Sequence, residues 1–165
     1  MNRFLGEIEL LVLGTVGAPG EREFFLQVHK NGVLSFALEK SQAASLAEKV
    51  IQIAREVGES VTRREVNMPM LEMPIEPEFS VGVISLTWLP NESNMRIEIN
   101  AIDEEDGAEA SASVSFDYNV KRAIEFALGA ISVVAAGRQP CIFCGGPINA
   151  DGHLCPRANG YRRQI

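Results

Sequence analysis

The chain predicts an α+β fold: antiparallel sheet built from two β-β-β-α halves with the helices on one face, followed by a small C-terminal zinc knuckle. Three observations predict it. The order strand, strand, strand, helix is readable twice, over residues 7–57 and 78–136. A proline-rich linker, 58–77, separates the two runs. All three cysteines fall in one short window, Cys141 to Cys155, and the rest of the 165 residues hold none. The organisation that follows is an α+β domain over 1–137 and a zinc-binding tail over 138–165.

The first strand is Leu10 to Val16, an apolar run closed by the turn residues Gly17-Ala18-Pro19-Gly20. Arg22 to His29 is the second. Asn31-Gly32 supplies the two positive-φ positions of a tight hairpin turn, so Val33 to Leu38 returns as the third. Ser41 is the expected N-cap of a helix over Gln42 to Val57. Its apolar residues Ala43, Leu46, Ala47, Val50, Ile51 and Ala54 recur at helical spacing. The pattern then dissolves. Met68-Pro-Met-Leu-Glu-Met-Pro-Ile-Glu-Pro77 has three prolines and no usable period, and it reads as a linker packed on the body.

The order then repeats. Phe79 to Leu89 is a strand, Pro90 to Ser93 a turn, and Met95 to Ile102 a strand. Asp103 to Asp106 reads as a solvated acidic turn in preference to a cation site. Ala110 to Phe116 is the last strand and Asn119 to Ala136 the last helix. The repetition is one of element order, since residue identity between the halves is poor.

Composition bounds the function. Hydrophobic content of 46% and charge content of 22% are those of a soluble globular chain. No apolar stretch reaches the roughly 18 residues of a membrane span, and the N-terminus carries acids where a signal peptide has its apolar run. A cytoplasmic protein with no membrane association is expected. Net charge is −7, unevenly spread: residues 1–136 carry −10 and residues 137–165 carry +3. An acidic body repels phosphate backbones, so nucleic acid is not the expected partner.

The strongest chemical signal is Cys141-x2-Cys144-x8-His153-x-Cys155. Two residues between thiolates let both sulfurs face one ion, and Gly145-Gly146 permits the tight turn around it. A lone C-x2-C would equally suit a redox dithiol. His153 and Cys155 complete a tetrahedral N/S set and point to Zn²⁺. Three cysteines and one histidine make a closed shell, and closed shells are structural; without His153, water would complete an open, catalytic site.

No catalytic triad or phosphate loop is readable, because one of the two histidines is committed to the metal and His29 reads as a surface residue. Weaker candidates lie on the body. Arg22, Gln27, Glu39 and Lys40 are polar residues in or beside apolar strands that a hairpin would pair. They read either as a charged cross-strand set or as a ligand-binding patch.

Val134-Ala-Ala-Gly-Arg-Gln-Pro-Cys-Ile-Phe-Cys-Gly-Gly-Pro-Ile-Asn-Ala-Asp-Gly-His-Leu-Cys-Pro-Arg-Ala-Asn-Gly-Tyr161 resembles the ending of a bacterial family known as domain of unknown function 3090. Gly14 to Gln27 and Ala37 to Gln42 are similar to it too. The resemblance covers most of the chain and implies no reaction. Ile142 stands where such knuckles often carry proline, which leaves ligation undisturbed. The function expected is a non-catalytic binding or adaptor protein with an unidentified protein partner and a structural zinc site. The alternative is an enzyme or enzyme subunit with a small-molecule site on the body.

Overall fold

Seven strands and two helices occur in the order β1 (Asn2–Glu7), β2 (Leu10–Val16), β3 (Glu23–His29), β4 (Val33–Leu38), α1 (Lys40–Glu56), β5 (Pro77–Leu89), β6 (Asn94–Ala101), β7 (Ser113–Asn119) and α2 (Val120–Ala135). The structure is a computed structural model, and it describes residues 2–18, 20–102 and 112–136.

The strands form one sheet in the order β1-β7-β6-β5-β4-β3-β2. The α+β class is as expected, but the sheet is mixed and not antiparallel throughout. β2-β3-β4 and β5-β6-β7 are antiparallel meanders, whereas β1 pairs with β7 and β4 with β5 in parallel. The physical reason is that the chain leading into each meander pairs with the last strand of the other half, as the separate strand β1 in the first half and as the first residues of β5 in the second. β1 does this against β7, and Pro77 to Ser80 of β5 does it against β4.

A glycine-bearing bulge lies near each change of partner, between Phe4 and Glu7 within the β1–β7 pairing and between Val81 and Val83 within the β5–β6 pairing. Gly6 has φ +75°. At Gly82 a Cβ would meet Ile102 Cα at 2.9 Å and Ala101 O at 3.0 Å, so backbone approaches backbone too closely for a side chain. The extra residue shifts the alternation. Phe79 and Val81 face the core before the bulge, and Ile84, Leu86 and Trp88 after it.

β1 and β2 stand at opposite ends of the strand order, yet only Ile8 and Glu9 separate them. Three residue steps span at most about 11 Å, and a flat seven-stranded sheet would hold its edges about 29 Å apart. The sheet therefore curls until its ends meet. Ile8 N–H donates to Asp117 O on β7 at 3.0 Å and Glu9 N–H to His29 O on β3 at 2.9 Å, so backbone pairing continues through the junction.

One face of every meander is apolar. Leu11, Leu13, Leu26, Phe36, Ile97 and Phe116 lie at alternating positions and share a single core with both helices. Both helices thus cover the same face. α1 buries the six apolar residues its period predicts. Its N-cap is Glu39 and not Ser41: Glu39 is extended, and Gln42 Oε1 accepts the Glu39 N–H at 2.7 Å from the N3 position. Asn119 caps α2, its Oδ1 accepting from Lys121 N–H at 3.0 Å.

Asn31 and Gly32 take the expected positive φ, +53° and +131°, but the loop is the three residues Lys30-Asn31-Gly32, with His29 opposite Val33, and not a two-residue turn. Asp103 to Asp106 lie outside the described residues. The 58–77 stretch, free of helix and strand up to Pro77, is a strap. It passes over α2, where Met68 packs on Gly129, then over the opposite face of the sheet, where Leu71 lies against Gly14 of β2. No helix among the described residues is long and apolar enough to cross a membrane.

Candidate functional site

Where β4 ends at Leu38, β5 runs on to pair with β6, and the sheet opens between the two halves. A cleft of about 850 Å³ occupies that opening. The end of β4 and the start of α1 form one side, β5 and the end of β6 the other. Its walls are mainly apolar, with Phe25, Ala37, Val81, Val83 and Ile102 contributing. Val83 and Ile102 are large apolar side chains left 62% and 52% exposed.

Arg22, Glu39 and Lys40 stand together around this cleft, with Glu23 beside them. Three of the four candidates read from the sequence thus converge, because β3 and β4 pair and bring the start of one strand to the end of the other. Arg22 is held firmly. Its guanidinium donates to Val133 O at 2.9 Å and to Val134 O at 3.3 Å, and it lies 4.9 Å from the centroid of Phe24. These carbonyls belong to the last turn of α2, where a cation meets unsatisfied acceptors and the negative end of the helix dipole. The cleft is therefore tied to the point at which the chain leaves the second helix.

Gln27 does not belong to the cleft. It is fully buried under the strap, donating to Ser35 Oγ at 3.1 Å and to Glu72 O at 2.9 Å, and accepting from Glu72 N–H at 2.8 Å. Its role is to fasten the strap to β3. Sequence reasoning missed Gln42, which lines the cleft and donates to Val81 O and Gly82 O, both at 2.9 Å. The signal was present in the spacing Glu39-x-x-Gln42, a capping-box pattern.

On the second half Arg96 and Asp117 form a two-point ion pair, Nε to Oδ1 at 2.7 Å and Nη2 to Oδ2 at 3.0 Å, with Arg96 4.6 Å from the ring centroid of Phe4. The hydrogen bond to Asp117 raises the Arg96 guanidinium above its ordinary value. The pair fastens β6 to β7 across the sheet and contributes no group to the cleft. His29 is half-buried and not a surface residue, and its Nε2 is buried without a partner among the described residues.

Cys141, Cys144, His153 and Cys155 all lie outside the described residues. Among the described residues no group of histidine, cysteine and carboxylate side chains is placed to hold a metal ion.

A family model described as "Protein of unknown function (DUF3090)" matches residues 4–155. No curated protein and no solved structure matches the chain.

Proposed function

The chain belongs to the DUF3090 family, and from that premise we propose that it is a non-catalytic binding or adaptor protein of the cytoplasm carrying one structural Zn²⁺ ion. The observation that carries this reading is the spacing Cys141-x2-Cys144-x8-His153-x-Cys155, which supplies four N/S donors with no spare position. The matched span takes in all four. Thiolates at such density suit metal in a reducing compartment better than disulfides. The binding surface of the body is the cleft between the halves. Its charged groups are an arginine, a lysine and two carboxylates over apolar walls, a set suited to recognising a protein partner's mixed surface. Elemental analysis of protein purified without added metal tests the zinc assignment: about one zinc per chain is expected, and a metal-free preparation refutes it.

A second reading makes the chain an enzyme or enzyme subunit. It is favoured by the convergence of Arg22, Glu39 and Lys40 on one cleft of about 850 Å³, within the roughly 300–1,000 Å³ usual for small-molecule sites. Native mass spectrometry of protein taken from its own host separates the two. A retained small molecule lost in a Lys40→Ala variant supports the second reading; a retained protein partner supports the first.

A further inference from the structure

The curl of the sheet brings its two terminal strands together through Ile8 and Glu9, and the opening that remains lies where β4 stops at Leu38 and β5 runs on. Beyond Ser80, β5 pairs only with β6 among the described residues. From Ile84 to Leu89 it keeps an unbroken register with β6. Its other side is therefore a regular row of backbone donors and acceptors with no strand neighbour among the described residues.

Edges that face water are ordinarily guarded by charge, proline, a bulge or shortness. β1 has such guards: it is six residues long, carries Arg3 and Glu7, and bulges between Phe4 and Glu7. The free part of β5 has none. The strand is thirteen residues long, and Phe79 to Leu89 contain no charged residue and no proline. Its bulge falls between Val81 and Val83 and leaves the rest regular. Neither face of this stretch is fully covered. Ile84, Leu86 and Trp88 pack on the core but are only half-buried, while Val83, Ser85 and Thr87 are exposed. A groove of about 230 Å³ runs along the strand, with Ile84 and Leu86 on one side and Ser41, Ser45 and Lys49 of α1 on the other.

We propose that this edge is occupied by a second copy of the chain, the two β5 strands pairing antiparallel about a two-fold axis at Ser85. Two observations commit to a copy as the occupant. The first is charge. Residues 1–136 carry −10, so two copies repel one another over most of their surface, and Phe79 to Leu89 is a long stretch free of charge on which they can meet. The second is self-complementarity. The stretch that β4 leaves unpaired, Val81 to Leu89, has Ser85 at its middle, so a register centred there gives the greatest overlap. The carbonyls of Val81 and Gly82 already accept from Gln42, and the ladder between copies runs from Val83 to Thr87. Ile84 of one copy then faces Leu86 of the other on the core side, and Val83 faces Thr87 on the opposite side. Aliphatic meets aliphatic and β-branched meets β-branched, with no like charges opposed. Ser85 faces its own copy, as a two-fold contact requires at its axis. The small Ser41 and Ser45 leave room at the groove for the incoming strand. A ladder of this length makes a small interface and a correspondingly modest affinity. Arg22, Glu39 and Lys40 of the cleft lie outside the paired stretch, so the assignment does not depend on the reading of the cleft or of the tail.

Sedimentation equilibrium of the full chain from about 1 to 100 μM tests this, with native mass spectrometry for mixtures. The chain should pass from monomer to dimer as concentration rises. Ser85→Lys and Ser85→Glu are made in a Glu98→Gln background, because Glu98 lies opposite Ser85 on β6 and would answer a new charge. Glu98→Gln alone should dimerise like the unaltered chain. Each charged variant sets like charges opposite one another at the axis and should weaken the dimer about tenfold or more. The far-UV spectrum should stay unchanged, since Ser85 is exposed. An equimolar mixture of the two should recover a dimer holding one copy of each. An unaltered chain that stays monomeric throughout, an assembly larger than two, a dimer undiminished in either charged variant, or a mixture that recovers none would each overturn the proposal.

Discussion

The side-chain amide of Gln27 forms a two-way bridge with the backbone of Glu72, donating to its carbonyl at 2.9 Å and accepting its N–H at 2.8 Å. A buried glutamine in a strand thereby takes the part of a missing neighbouring strand. It satisfies two backbone groups of the strap and presents its second amide hydrogen to Ser35 at 3.1 Å.

Replacing this residue removes three hydrogen bonds at a fully buried position. Gln27→Leu keeps the volume and leaves the partners unpaired, so it is expected to cost about 1–3 kcal/mol, at the level of one or two stranded polar groups. Gln27→Glu should cost more, because a buried carboxylate cannot donate to Glu72 O. Urea unfolding with an unchanged slope checks the first. Amide exchange of residues 70–73 should quicken in both.

Gly82 is the second point of structural sensitivity. Its absent Cβ leaves room for the backbone of Ala101 and Ile102, and the neighbours at 2.9–3.1 Å are main-chain atoms that cannot turn aside. Gly82→Ala should destabilise by about 1–3 kcal/mol, the usual range for overpacking. It should also perturb Gln42, whose amide donates to Val81 O and Gly82 O. A shift in the midpoint of denaturation is the measurement.

Arg22 joins the cleft to the end of α2. Arg22→Met keeps the stem and removes the charge, and should lower stability by about 1–2 kcal/mol through loss of the charged hydrogen bonds and the dipole interaction. Arg22→Lys should restore only part of this, since an ammonium lacks the planar fork that reaches two carbonyls at once. Chemical denaturation ranks the three proteins. Faster exchange of the Ala136 amide, which donates to Ser132 O, locates the effect at the last turn.

Much of this fold is legible in the sequence because its signals are local. Asn31-Gly32 announces a hairpin with two positive φ values, although the loop takes in Lys30 as well and so shifts the register of β3 and β4 by one residue from that of a two-residue turn. The bounds of β2 and β4 follow from apolar runs closed by turn residues. β1 is not legible. Asn2–Glu7 is largely exposed, and its partner lies more than a hundred residues away on β7. The same distance hides the parallel pairings, so the local hairpins suggest an antiparallel sheet. Of the candidate site, Arg22, Glu39 and Lys40 are legible because a predicted hairpin brings them together. Gln27 is misplaced for two reasons. Its strand sends successive side chains to opposite faces, and the strap that covers it has no period to reveal where it packs.

On the proposed zinc assignment, metal removal should act on the tail and spare the body. Chelation or Cys144→Ser is expected to disorder the chain from about residue 138 onward while the far-UV signal of the body persists, because the sheet and both helices share a core of their own. Near-unchanged urea unfolding of the body with new protease cleavage after residue 138 is the expected pattern. Retention of an ordered tail together with loss of a measured activity would make the zinc catalytic.

Nucleic acid binding is the last expectation, and the charge distribution decides it. Arginines near the proposed zinc site invite the idea of a nucleic-acid reader, and Tyr161 beside Arg162 and Arg163 in sequence offers a ring on which a base could stack. Three net positive charges on residues 137–165 neutralise about three phosphates at most, a gain that falls steeply with salt. The −10 of residues 1–136 opposes approach of the same backbone. Fluorescence anisotropy with single-stranded RNA and DNA at physiological salt should therefore show no sub-micromolar binding. Tight binding that disappears in an Arg162→Ala/Arg163→Ala variant would instead establish the tail as a nucleic-acid site acting against the field of its own body.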